Sequence, residues 1–167
     1  LLGVIYQFVQ AEPAYTASAR LSVIRTEDPP DLPEFRYDGY YRYLASEFAV
    51  DDFVELVRGN VFAADVSARI KQESGNDISA TEIQQAIHSE RKHRILNIDV
   101  TSADQGRAVL IAAAAANTLE VKGIQYFMPN LPASAAAIQT VQTPESAASN
   151  LTKQRLVYVL QLLVAVF

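Results

Sequence analysis

The sequence has 167 residues, 50% hydrophobic and 20% charged, which suits one domain with its own core and excludes a chain disordered by composition. It contains no cysteine, which excludes disulfide bonds and thiolate zinc sites. Its net charge of −5 argues against nucleic acid as a partner, since no block of Lys and Arg provides a phosphate-binding stripe.

Apolar residues are concentrated at both ends of the sequence, LLGVIYQFVQ and LVYVLQLLVAVF, whereas all 14 basic and 19 acidic side chains lie from Glu12 to Arg155. Each apolar end is shorter than the roughly 20 residues of a membrane-spanning helix. We predict that residues 1–11 are the end of one transmembrane helix and residues 153–167 the start of another. Residues 12–152 would then form one domain on one side of the membrane. A pair of buried core helices is the alternative.

The first element predicted after the apolar start is a half-buried strand over residues 15–23. Apolar and polar residues alternate there, which is the period of a strand with one side in the core. The apolar positions are Tyr15, Ala17, Ala19, Leu21 and Val23. The next segment, TEDPPDLPEF, contains three prolines and predicts an irregular loop.

Helical segments are predicted after this loop, over residues 37–50, 51–60, 61–76 and 79–91. The second of them begins with Asp51 as a predicted N-cap and ends at Gly59, a favourable C-cap residue. The last begins with a capping box, in which Ser79 precedes Glu82 by three residues. These signals predict several short helices between the first and second strands.

The stretch HRILNIDVTSADQGRAVLIAAAAANTLE begins as a strand and ends as a helix. Leu96, Ile98 and Val100 alternate with polar residues, which predicts the strand. Ser102 and Gln105 form a second capping box, which predicts a helix from residue 103 onwards. Five consecutive alanines at 112–116 remove side-chain bulk and favour close packing of this helix. The predicted packing side carries Leu110, Ala113, Ala114 and Val121.

A third strand is predicted from Ala137, after the break PNLPASAAA. The order of elements predicts an α+β fold. In this prediction a small, membrane-proximal mixed sheet is packed with helices and flanked by two transmembrane helices.

The segment FRYDGYYRYLASEF is the strongest candidate for a binding surface. Tyrosines beside arginines can anchor a protein interface or stack on sugar rings. Core packing, a subunit interface and glycan contact all remain open as roles for them. The candidate residues are Tyr37, Tyr40, Tyr41, Arg42 and Tyr43. The surface they would contact on a neighbouring copy is predicted on the exposed face of the alanine-rich helix, around Arg107 and Asn117. Ala114, in the alanine run of the same helix, is predicted to pack closely against another element.

No constellation of residues predicts catalysis, a metal or a cofactor. His88 and His93 are the only histidines, and they do not share a face, so a metal site would need further ligands. Asp51, Asp52 and Glu55 could act in acid–base chemistry, but their place at a predicted helix start favours a capping role. The sequence has neither a nucleophile elbow nor a Gly-rich phosphate loop.

This order of elements resembles that of the bacterial polysaccharide chain-length determinants, the Wzz family of polysaccharide co-polymerases. The resemblance lies in the strand YTASARLSV after an apolar start, in the strand and helix RILNIDVTSADQGRAVLIAAAAANTL, and in a last strand before the apolar end. It covers nearly the whole chain as a pattern and contains no diagnostic motif. Two features depart from the family: about eight residues, 128–135, stand where members have a long helical arm, and TPESAASNLTKQ has one proline where they have a proline-rich signature.

The resemblance implies a ring-forming scaffold without an active site or cofactor, located at the bacterial inner membrane with its main domain outside the cytoplasm. Its implied partners are the lipid bilayer, further copies of itself and a polysaccharide polymerase, and its implied role is to modulate polysaccharide polymerisation or export. The alternative is a Wzz-like domain used as a structural or assembly subunit of another bacterial membrane complex.

Overall fold

The computed structural model describes residues 13–25, 38–127, 129 and 136–150, without the side chains at 24–25, 38–46 and 136–137. These ranges contain five strands and four helices. The strands are β1 Tyr15–Arg25, β2 Ile87–Lys92, β3 Ile95–Ser102, β4 Ala136–Gln142 and β5 Ala147–Ser149. The helices are α1 Asp38–Val57, α2 Asn60–Ser74, α3 Ala80–Ala86 and α4 Gln105–Phe127.

The strands form one sheet in the order β2-β3-β1-β4, with β5 also paired to β1. All pairings are antiparallel, so the predicted mixed sheet is wrong, although the α+β class is correct. The tight β2–β3 hairpin makes the first pair antiparallel, and His93 in its turn has a φ of 57°. α4 then returns the chain along the sheet, so β4 runs opposite to β1.

The predicted transmembrane helices are not supported, because no helix in the described ranges is long and apolar enough to cross a membrane. The long helices α1 and α4 carry charged side chains among their apolar ones, including Asp52 and Lys122. The fold of the described residues is therefore corrected to an antiparallel sheet with helices on it. The segments for which those spans were predicted, 1–11 and 153–167, lie outside the described residues.

α1 replaces two predicted helices. The segments 37–50 and 51–60 were expected to be separate, but one buried face continues through Val50 and Phe53. Asp51 is therefore in mid-helix rather than at an N-cap, and its carboxylate forms an ion pair with Arg91 at 3.1 Å.

The capping predictions have mixed outcomes. Ser79 caps α3 as predicted, since its hydroxyl accepts a hydrogen bond from the backbone N–H of Glu82 at 3.2 Å. The predicted helix over 79–91 is too long, because it ends at residue 86 and the chain continues as β2. At α4 the predicted cap, Ser102, still belongs to β3, and Asp104 takes its place by accepting a 2.7 Å hydrogen bond from the N–H of Arg107.

The sheet has a covered face, packed under the helices, and an opposite face on which none of the described helices lies, which we call the open face. On β1 the alternation predicted from sequence is confirmed, since Ala17, Ala19 and Leu21 are buried on the covered face. The open face carries their neighbours on β1 and the cross-strand partners on β3: Thr16, Ser18, Arg20, Ser22, Asn97, Asp99 and Thr101.

α4 lies on the covered face and uses small residues for close contact. Ala108, Ala112 and Ala115 are fully buried, and a Cβ at Gly123 would collide with Ile138. The predicted packing side is partly wrong, because Ala113 and Val121 are exposed. The buried face of α4 instead includes Ile111, Ala112 and Leu119.

The two ends of the described domain meet at one end of the sheet, which we call the paired end. The N–H of Ala14 donates to Oδ1 of Asn150 at 3.0 Å, and the N–H of Asn150 donates to the carbonyl oxygen of Ala14 at 2.9 Å. β5 pairs beside this junction with residues 15–17 of β1. The β2–β3 hairpin lies at the opposite end, because Ile95 pairs with Ser22.

Candidate interface surfaces

The predicted aromatic patch falls mostly on the first turns of α1. Tyr37 lies outside the described residues. Tyr40, Tyr41, Arg42 and Tyr43 lie within α1, but their side chains are outside the description.

The register of α1 is set by its last turns. Val50 and Phe53 are buried, whereas Phe48 is 67% exposed. A helix repeats its faces about every seven residues. From Glu47 onwards, α1 thus has a buried face with Val50 and Phe53 and an exposed face with Phe48 and Asp52.

α1 approaches the hairpin end of the domain with its N-terminal half. Glu47 lines a shallow depression with Arg91, Lys92 and His93 of the hairpin. Farther along α1, the carbonyl oxygen of Val54 accepts a 2.9 Å hydrogen bond from the hydroxyl of Ser89, which is nearer the other end of β2. The first turns of α1 therefore lie near the hairpin end of the domain, away from the paired end.

The candidates on α4 occupy three different environments. Arg107 is exposed in the first turn, and its guanidinium bonds Oε1 of Glu82 at 2.5 Å. Ala114 is 5% exposed, and Asn117 is half-buried. The predicted close packing of Ala114 is therefore confirmed, whereas Arg107 and Asn117 keep exposed or half-buried positions on the same helix.

A groove of about 420 Å³ lies between α3 and the start of α4. Glu82 and Arg107 face each other across it, and Ile111 contributes to its apolar lining. Both of its carboxylates are engaged, that of Glu82 with Arg107 and that of Asp104 as the cap of α4. This groove was missed by sequence reasoning, because its walls come from segments 25 residues apart.

A polar tie joins α2 to α4. The hydroxyl of Tyr126 donates to Oδ2 of Asp65, and Nζ of Lys122 lies 3.1 Å from Oδ1 of the same carboxylate. Partial burial raises the pKa of Asp65, but the hydrogen bonds from Tyr126 and Lys122 outweigh it and hold that pKa below its usual value. Burial, followed by the bond to Asp65, raises the pKa of Tyr126. Because the Asp65 carboxylate of α2 bonds both Tyr126 and Lys122 of α4, this tie holds the two helices together.

The open face of the sheet centres on Asn97. This side chain is 4% exposed, and its amide donates to Glu90 at 3.3 Å and to Asp99 at 3.0 Å. Its Oδ1 has no hydrogen-bond partner. A hydrogen bond from Lys92 lowers the pKa of Glu90, and the hydroxyl of Ser18 donates to Asp99 at 2.5 Å. The face is thus a hydrogen-bonded polar surface with an unused acceptor at its centre.

The histidines and carboxylates singled out from sequence are spread over the surface. His88 is exposed on β2 opposite Asp99, and His93 is in the hairpin turn. Within the described ranges, no three His, Asp or Glu side chains are placed to hold a metal ion. Glu55 pairs with Arg58 at 3.0 Å, whereas Asp52 is exposed.

In comparisons with known proteins, no family model matches this chain, and no curated protein matches it significantly.

Proposed function

We propose that this domain is a non-enzymatic scaffold, similar to the polysaccharide chain-length determinants, that acts at the bacterial inner membrane from outside the cytoplasm. It modulates the polymerisation or export of a polysaccharide through contacts with a polymerase and with further copies of itself. Its paired end faces the bilayer, and its hairpin end faces away.

The observation that carries this proposal is the junction between Ala14 and Asn150. A domain whose two ends leave side by side can be attached at one surface through both of them, which leaves its opposite end accessible to partners. β1 has 11 residues, so these two ends are separated by about 35 Å at the rise of a strand. The first turns of α1, with Tyr41 and Arg42, belong to the distant end.

Deletion of the gene in its own bacterium tests this function, with the length distribution and amount of surface polysaccharide as the readout. We expect the distribution to change and the full chain, supplied in trans, to restore it. An unchanged distribution and amount in the deletion strain would contradict the proposed function.

One observation favours the alternative, an assembly subunit of another membrane complex. α4 ends at Phe127 and β4 begins at Ala136, so no room exists between them for the long arm of the chain-length determinants. This alternative predicts an unchanged polysaccharide, together with co-purification of other membrane proteins at fixed stoichiometry from mild detergent.

A further inference from the structure

Two exposed apolar side chains each lie next to an exposed charge, and the two charges are of opposite sign. Phe48 is 67% exposed on α1, and Asp52 follows it by one turn on the same face. Val141 is 63% exposed on β4. It is the extra residue of a bulge, since Gln142 pairs with Arg20 and Thr140 with the next residue of β1. Val141 therefore lies beside Arg20.

Both charges are without an ionic partner in the described part of the chain. The seven ion pairs found there use other residues. Most other exposed cations of the domain, such as Arg107 and Lys122, are neutralised within the same chain. Asp52 and Arg20 are thus free to pair with a group outside it.

The two pairs lie on opposite sides of the domain. Phe48 and Asp52 are on the outer side of α1, which packs on the covered face through Val50 and Phe53. Arg20 alternates with the buried residues of β1 and is on the open face. One molecule therefore cannot bring Asp52 to its own Arg20, whereas two molecules stacked in the same orientation can.

We infer that a second copy of this chain docks head-to-tail, with Phe48 and Asp52 of one copy against Val141 and Arg20 of the next. The inference rests on the proposed function for its biological setting and names the surfaces of the self-assembly. The contact joins two different patches, so it propagates into a closed ring or a filament rather than ending at a dimer. Apolar anchors next to one complementary charge pair are the usual composition of such a contact.

This contact places Arg20 of β1 where the sequence-based expectation placed the surface around Arg107 and Asn117.

Charge reversal tests the contact on the full chain, extracted in mild detergent and measured by light scattering. Asp52→Arg and Arg20→Asp should each weaken self-association by about tenfold or more, because like charges then face each other. The double variant with both changes should restore the parent's mass. Asp77→Arg, at an exposed acid between α2 and α3 that pairs with Lys71, is the control for charge reversal outside both patches and should leave the mass unchanged.

A cysteine pair gives a second test that does not depend on affinity, because the parent has no cysteine. The double variant Phe48→Cys with Val141→Cys should form a ladder of cross-linked multimers under mild oxidation. The control, Val61→Cys with Val141→Cys, uses a valine on α2 that is 62% exposed and should give no ladder.

A monomeric parent, charge reversals without effect, or a double reversal that stays dissociated would each overturn this contact. If the reversals behave as expected while gene deletion leaves the polysaccharide unchanged, the contact stands and the proposed function fails. If deletion changes the polysaccharide and the reversals leave the mass unchanged, the function stands and the contact fails.

Discussion

The two faces of the sheet are built from alternate residues of the same strands, but different interactions stabilise them. On the covered face, Leu21 and Ile98 are fully buried beneath helices. On the open face, Ser18 and Asp99 are tied by a hydrogen bond, and Asn97 is buried with one acceptor unused. The central residues of both faces are thus buried. The covered face is stabilised by the burial of apolar surface, whereas the open face is stabilised by hydrogen bonds.

This difference implies that a residue on the covered face contributes more to stability than a residue on the open face. A buried apolar side chain contributes roughly 1.5–3 kcal/mol, whereas a hydrogen bond contributes about 1 kcal/mol net. Substitutions at alternate positions of one strand should therefore separate stability from association.

The largest expected effect is on β1. Leu21→Ala should lower the free energy of unfolding by about 2–5 kcal/mol, because it leaves a cavity under the helices. Ser22→Ala, the next residue and on the open face, should change it by about 0.5 kcal/mol or less. Chemical denaturation of both variants measures the contrast. Equal losses would mean that the open face is also part of the core.

A smaller effect is expected from overpacking α4. Ala114→Leu should cost about 1–3 kcal/mol, since Ala114 is buried where the helix approaches its neighbours. Ala113→Leu, one residue earlier and exposed, is the control and should leave the thermal midpoint close to the parent's. An unchanged midpoint for Ala114→Leu would mean that the alanine run does not serve close packing.

The smallest effect concerns the polar tie within the helical layer. Asp65→Asn should cost about 1 kcal/mol or less at pH 7, because the carboxylate is partly exposed. The folded pKa of Asp65 is below its usual value, so its stabilisation is present at neutral pH and is lost as the pH falls through that folded pKa.

The difference in unfolding free energy between parent and Asp65→Asn should therefore shrink below about pH 4. Tyr126→Phe removes one of the two hydrogen bonds and should give a partial version of the same pH dependence. A difference that is constant from pH 7 to pH 3 would exclude the tie as its source.

Local patterns predicted the parts of the fold that local physics decides. The alternation of β1 and the cap at Ser79 were correct because each depends on neighbours in sequence. β2 was missed because Ile83 and Ile87 also fit a helical stripe, and only pairing with β3 makes the second of them a strand residue. Asp51 was predicted to be an N-cap, but it lies within α1, where its carboxylate forms an ion pair with Arg91 of β2.

The candidate surfaces were harder to predict for the same reason. The sequence shows which side chains can anchor an interface, but the exposure of Phe48 next to buried Val50 depends on how α1 packs on the sheet. The sequence did not single out Arg20, because an exposed arginine on a strand is common. It is distinguished only in the structure, where most other exposed cations form ion pairs. The bulge that places Val141 beside it depends on the pairing of β4 with β1.

The paired end also has a mechanical consequence. A load between the hairpin and the paired end runs along β1 and β3, where eight residue pairs resist it together in shear. A load that separates Ala14 from Asn150 sideways instead breaks the two hydrogen bonds between them and then the three residue pairs between β5 and β1, one after another. The domain should therefore be stiffer along its length than across its paired end, where peeling would expose Ala147 of β5 before the rest of the core.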